Sequence, residues 1–189
     1  MLRLSMLLLC TLLLHAGETQ AEQGEAMQLT PLEEKILDRA LRCVNARKVN
    51  RKPAFLRQLL LIERQQGVPQ SLRGMLLAAA CSESGYNPRV KGDNNRAVGL
   101  LQLWPWWKKR YRIDRRDPIA SANAWFQHIK KQFPKVRKQC KIKPHQIDKL
   151  WIKAWVTAVR SPKKNGRCHE VSRHYKRLRK WQNTWKQLL

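Results

Sequence analysis

Leu76-Leu77-Ala78-Ala79-Ala80-Cys81-Ser82-Glu83-Ser84-Gly85-Tyr86-Asn87-Pro88 reads as an apolar helix that delivers one carboxylate and then stops. Leucine and alanine are strong helix formers, which predicts a helix up to Glu83. Gly85 is placed to end it, and Pro88 cannot continue it. Glu83 then falls in the last turn, where the negative end of the helix dipole disfavours a second negative charge. Apolar neighbours add a desolvation penalty on the ionised form. Both effects are expected to raise its pKa, which suits an acid that must hold a proton near neutral pH. These residues alone also describe a solvated glutamate at a fraying helix end, and the segments downstream decide between the two.

With 189 residues the chain holds one domain, or a domain with an extension, and enough sequence for a hydrophobic core. Arg3, the apolar run Leu4 to Leu14 and the Thr19-Gln20-Ala21 site read as a signal peptide over residues 1–21. The run is short for a bilayer span, so a retained anchor is the weaker reading. Residues 22–189 then read as a single exported domain with no transmembrane segment, periplasmic or secreted, envelope-associated and monomeric. Cys10 belongs to the signal. Cys43, Cys81, Cys140 and Cys168 remain, which in an exported chain suggests two disulfides, with the pairing open. No two of them have close-paired zinc spacing, and the cluster of Cys168-His169 with His174 is a weak metal pattern. Neither a metal nor a cofactor is expected.

Lys and Arg number 39 against 13 Asp and Glu, a formal charge of +26, so the surface seeks polyanions. In a cytosolic protein nucleic acid would come first. In an exported one the anionic polymers of the cell envelope take its place, and the signal segment decides against nucleic acid.

No internal repeat is present. Thr30-Pro31-Leu32-Glu33 reads as an N-cap, a first-turn proline and a capping-box glutamate, opening a helix to about Lys48 with Leu32, Ile36, Ala40 and Val44 on one face. A second helix is predicted over Ala54 to Gln66, and the Gly67-Val68-Pro69 corner leads into the helix bearing Glu83. Arg89 to Arg96 is polar and turn-rich around Gly92-Asp93-Asn94-Asn95. Ala97 to Trp107 admits a short strand or a buried loop, then a break at Pro105. Asp117-Pro118 opens a helix with Ala122, Trp125, Ile129 and Phe133 at helical spacing. Ile147, Leu150, Trp151, Ala154, Trp155 and Ala158 form a regular apolar stripe. The last helix carries Val171, Tyr175, Leu178, Trp181, Trp185 and Leu188 on one face, a core-facing seam in preference to a membrane-surface element. The chain is expected to be mainly α, with at most a small β or loop excursion after Glu83.

Gly67-Val68-Pro69, Leu76 to Ala80, Glu83-Ser84-Gly85-Tyr86-Asn87-Pro88 and Ala97-Val98-Gly99-Leu100-Leu101-Gln102-Leu103 stand in an order and spacing that resembles the soluble lytic transglycosylase (SLT) domain of the lysozyme superfamily. Asp117-Pro118 followed by Asn123-Ala124-Trp125 is similar to that family's next helix, and the resemblance covers about residues 60–158. It implies a lysozyme-like helical domain of the goose-type lysozyme and lytic transglycosylase kind, acting on peptidoglycan glycan strands. By resemblance, Glu83 is the catalytic acid at the bond between N-acetylmuramic acid and N-acetylglucosamine, and then the base that deprotonates the muramoyl 6-hydroxyl to close a 1,6-anhydro ring. Ser84 matches the serine beside the acid. Gly99, Leu100 and Gln102 match the substrate-contacting segment, although the Gln102 amide can equally satisfy loop backbone, and the two roles are compatible. Trp104, Trp106 and Trp107 follow at once, suited to sugar faces or to the core.

The chain departs from the family at its late Tyr-Asn-Ala-Gly segment, whose tyrosine hydroxyl contacts the acid. Here Ala154-Trp155-Val156-Thr157-Ala158 stands there, so Trp155 takes the tyrosine's substrate-side position without a hydroxyl. Either Tyr86, Tyr111 or Tyr175 replaces that group, or catalysis is weakened or lost. Asp93 in the polar loop offers a second carboxylate, which would make the enzyme a lysozyme-type hydrolase. A cationic, non-catalytic wall-binding or antimicrobial protein on a degenerate scaffold is the remaining alternative.

Overall fold

The computed structural model describes residues 28–160, Cys168 and residues 173–186. The expected signal peptide and two positions of the last helix's stripe, Val171 and Leu188, lie outside the described residues. The helices belong to the compact unit Pro31–Leu189. They are α1 (Pro31–Leu41), α2 (Pro53–Gln65), α3 (Met75–Ser84), α4 (Pro105–Tyr111), α5 (Pro118–Lys130), α6 (Phe133–Gln139), α7 (Ile147–Arg160) and α8 (Arg173–Lys186). Two short strands, β1 (Lys91–Gly92) and β2 (Ala97–Val98), pair antiparallel with Lys91 opposite Val98 and Gly92 opposite Ala97. The fold is therefore mainly α with a small excursion directly after α3, as the resemblance implies. Among the described residues no helix is long and apolar enough to cross a membrane.

Helix α3 is the centre of this arrangement and packs against α1, α2 and α8. Its apolar residues face every direction, and a helix apolar all round must be buried. Every residue from Met75 to Ala80 is fully buried. Each leucine so enclosed contributes about 1.5–3 kcal/mol relative to exposure. Around it, α5 and α6 pack on α7, while α2 also touches α5. Asp117 caps α5, its Oδ1 accepting from the backbone N–H of Ile119 at 2.8 Å and Ala120 at 3.0 Å. This is the stabilisation expected of an aspartate at that position.

Several boundaries differ from expectation for identifiable reasons. Helix α1 stops at Leu41 rather than near Lys48. The Arg42 and Cys43 amides turn back to the Arg39 and Ala40 carbonyls, and the Arg51 guanidinium takes the Leu41 carbonyl at 3.1 Å. Val44, expected on the apolar face, is consequently exposed. Pro105 opens α4 instead of breaking the chain, since the first helical turn tolerates a missing N–H. Phe133 starts a separate helix, and its ring meets Trp151 edge-on at 5.1 Å. The disulfides are Cys43–Cys81 and Cys140–Cys168. The first pins the α1–α2 connection to α3 two residues before Glu83. The second ties the end of α6 to the segment leading into α8.

The start of α3 is held by a buried carboxylate. No side chain of its own N-cap residue, Gly74, can serve, and Glu63 from α2 takes over. Its Oε2 accepts from the Gly74 N–H at 2.6 Å and its Oε1 from the Leu76 N–H at 2.7 Å. Burial pushes the Glu63 pKa up to about 7, against the lowering pull of these amides and of Arg73. Because the folded-state pKa is raised, the folded protein binds more protons than the unfolded chain between 4.5 and about 7, and this contribution to stability falls as pH rises through that window. Glu63→Gln is therefore expected to gain on wild type by on the order of 2–3 kcal/mol between pH 4.5 and pH 8, measured by urea unfolding. A difference independent of pH would contradict the assignment.

Candidate active site

Helix α3 ends in the way its sequence requires. Gly85 adopts φ +57°, and a Cβ there would lie 2.1 Å from the Asn45 carbonyl oxygen. Its N–H returns to the Ala80 carbonyl, so the helix stops immediately beyond Glu83 and Ser84. Glu83 projects from this last turn into a cleft of about 420 Å³. Asp93, Gln102, Trp104, Trp106 and Trp107 line one part of that cleft; Arg173 and His174 of α8 line another. Trp104 and Trp106 are exposed, whereas Trp107 is buried against Trp106, ring centroids 4.6 Å apart.

The structure separates the predicted site residues into two groups. Glu83 and Gln102 reach the cleft. Ser84 holds the neighbouring loop: its hydroxyl lies 2.7 Å from the Leu100 carbonyl and 3.1 Å from that of Ala80. Gly99 is buried at φ +84°, and a Cβ there would meet the Arg115 carbonyl at 2.0 Å, so it permits a close backbone approach. The Leu100 side chain is fully buried. Gln102 braces the same hairpin, its Nε2 donating to the carbonyls of Gly99 at 3.0 Å and Val90 at 3.2 Å. Ser84, Gly99 and Leu100 thus build the cleft wall rather than present side chains to a ligand. Trp155 requires a plainer correction. It has no exposed surface and does not line the cleft; it packs edge-on to Trp125 at 5.7 Å and beneath the His174 ring at 5.9 Å. Its packing against Trp125 and His174 accounts for the burial.

None of the three candidate tyrosines appears among the described partners of Glu83. Tyr86 is buried, its hydroxyl has no partner among the described residues, and burial drives its pKa far up. Tyr111 bonds His128 Nδ1 at 2.7 Å. Glu83 instead meets α8: Oε1 lies 2.6 Å from His174 Nε2 and 2.5 Å from an Arg173 guanidinium nitrogen. Oε2 carries no hydrogen bond among the described residues. An ionised carboxylate only accepts, so His174 donates from Nε2. The expected rise in the Glu83 pKa is overturned. Burial does push it up, but the His174 and Arg173 hydrogen bonds and charges outweigh burial and hold it below the ordinary glutamate value. His174 was not foreseen as part of the site. The signal was its register: His174, Leu178 and Trp181 share one helical face, and all three are buried.

A family model described as the transglycosylase SLT domain matches residues 61–154. The chain carries a transglycosylase SLT domain. At family level this supports a lytic transglycosylase or lysozyme-like, peptidoglycan-cleaving function. The matched residues include Glu83 and the hairpin through Gln102, whereas Trp155, Arg173 and His174 lie beyond them. No curated protein and no solved structure matches the chain. Among the described residues no group of three His, Cys, Asp or Glu side chains could hold a metal ion, and Cys168 is engaged in its disulfide.

Replacing Ser84 by Ala leaves the Leu100 carbonyl without this donor, and a loss of about 1–3 kcal/mol in denaturant unfolding is expected. Unchanged stability with weakened glycan binding would return the hydroxyl to the substrate.

Proposed function

We propose that the protein is an exported lytic transglycosylase that breaks the β-1,4 bond between N-acetylmuramic acid and N-acetylglucosamine in peptidoglycan. The observation that carries this reading is Glu83 at the end of a buried helix, in an aromatic cleft, with one carboxylate oxygen held by donors and the other without a hydrogen bond among the described residues. Oε2 is the oxygen offered to the substrate. Its proton passes to the glycosidic oxygen as the C1–O bond breaks and the electron pair leaves with that oxygen. The muramoyl 6-hydroxyl then attacks C1 and yields its proton to Glu83, which regenerates the acid and consumes no water. The exposed rings of Trp104 and Trp106 offer flat apolar faces to sugar rings.

In the resting cleft Glu83 is ionised, so an acid role requires its balance of forces to change. Arg173 is well placed to release it, being largely exposed at 72% of its side-chain surface. A saccharide that displaces the guanidinium removes the lowering influence of Arg173, so the Glu83 pKa rises toward that of a working acid, with burial pushing it up and His174 alone left to hold it down. The +26 charge favours an anionic envelope as the setting, with the mature chain acting as a monomer outside the cytoplasm.

Asp93 lines the same cleft, which favours a second reading, hydrolysis with Asp93 activating a water. Digestion of purified peptidoglycan separates the two. Wild type is expected to release anhydro-muropeptides by mass spectrometry, and reducing ends would establish a hydrolase. Glu83→Gln is expected to release no fragments while keeping the wild-type circular dichroism spectrum. Undiminished release would remove Glu83 from the chemistry.

A further inference from the structure

We propose that His174 is the positioning residue of this active site, performing from α8 the task that the late tyrosine performs elsewhere in the family. The proposal rests on the reading of Glu83 as the acid. The late segment of this chain presents an indole where a hydroxyl is expected, and that indole is buried. The space beside the acid is filled by an imidazole instead. His174 Nε2 is 2.6 Å from Glu83 Oε1, the ring is 3% exposed, and it lies nearly parallel to Trp155 at an interplanar angle of 27°. Trp155 therefore keeps a place in the site as the platform that fixes the imidazole plane.

The arrangement has a chemical consequence. When Glu83 gives up its proton, negative charge develops on the carboxylate, and a donor already aimed at Oε1 stabilises that charge without reorganising. Such a bond is stronger after proton transfer than before it, so it lowers the barrier to bond cleavage rather than tightening ground-state binding. Orientation follows from the same contact: with Oε1 tied to His174, the carboxyl cannot rotate and Oε2 stays available to the glycosidic oxygen. His174 keeps its own proton throughout. Its Nδ1 is buried without a partner among the described residues, so Nε2, which also lies 3.4 Å from Arg173 Nε, is the ring nitrogen that meets the acid. Arg173, the other donor to Oε1, is exposed and outside this role.

Helix α8 is thereby part of the catalytic unit although it lies beyond the matched residues 61–154. It is fastened to α3 independently of His174. Leu178 is fully buried, the Arg177 guanidinium reaches Cys81 Sγ at 3.1 Å, and the Cys140–Cys168 disulfide anchors the approach.

His174→Phe preserves an aromatic ring on Trp155 but has no donor, whereas His174→Gln can place an N–H close to Nε2. On soluble peptidoglycan fragments, His174→Phe is expected to lose about 100-fold in kcat with KM near wild type. His174→Gln is expected to recover activity to within about tenfold of wild type, and both variants should melt close to it. Full kcat in a folded His174→Phe, or equal inactivity of a folded Gln variant, would overturn the proposal. Should His174→Phe fail to fold, the nitrogen-15 spectrum of the wild-type imidazole decides without turnover. A proton on Nε2 whose resonance shifts in Glu83→Gln supports the proposal, and a ring with no proton on Nε2 contradicts it. Activity retained in Glu83→Gln would defeat the acid assignment itself, whereas an active His174→Phe beside an inactive Glu83→Gln would defeat only the role of His174.

Discussion

The contact between Glu83 and helix α8 is where the fold and the chemistry meet. A carboxylate at the end of a helix and against an apolar interior is unfavourable on two counts, dipole and desolvation. It is tolerated here because α8 brings His174 and Arg173 to one of its oxygens. Much of the architecture serves to hold the two sides of that contact in place. Helix α3 is enclosed by α1, α2 and α8 and stapled through Cys81; α8 is packed by Leu178 and Trp181 and led in by the Cys140–Cys168 bridge.

The same economy of negative charge recurs at the other end of α3. A chain with 39 basic and 13 acidic residues has few carboxylates, yet Glu33 and Glu63 are both buried. Glu63 gathers the first amides of α3, and Glu33 pairs with Arg64 and Arg73. Buried charges persist only where donors surround them. Glu63 and Glu83 therefore belong to one strategy, a helix anchored by an inserted carboxylate at its start and presenting a carboxylate at its end. They differ in balance: burial dominates at Glu63 and raises its pKa, while partners dominate at Glu83 and lower it.

Much of this was legible in the residues. The all-apolar run before Glu83 told of a helix, Gly85 marked its end, and the Gly99 to Gln102 segment at its spacing matched the family's substrate-contacting segment, while leaving open whether it is a strand or a loop. Local patterning could not show what comes from elsewhere in the chain. The end of α1 depends on Arg51 reaching back to Leu41, and the cap of α3 depends on a glutamate of α2. The partner of Glu83 stands ninety residues later in the sequence. The match to the family tyrosine puts Trp155 at the cleft, but the indole packs edge-on to Trp125 and has no exposed surface. The pKa of Glu83 departs from the local expectation because dipole and burial are readable in neighbouring residues, whereas a guanidinium and an imidazole delivered by a distant helix are not.

The most direct test is a carbon-13 titration of the Glu83 side-chain carboxyl in the free protein. A midpoint below that of an ordinary glutamate, rising when Arg173 is replaced by Met, is the result predicted from a carboxylate held by α8. A midpoint at or above the ordinary value, insensitive to that replacement, would contradict the account.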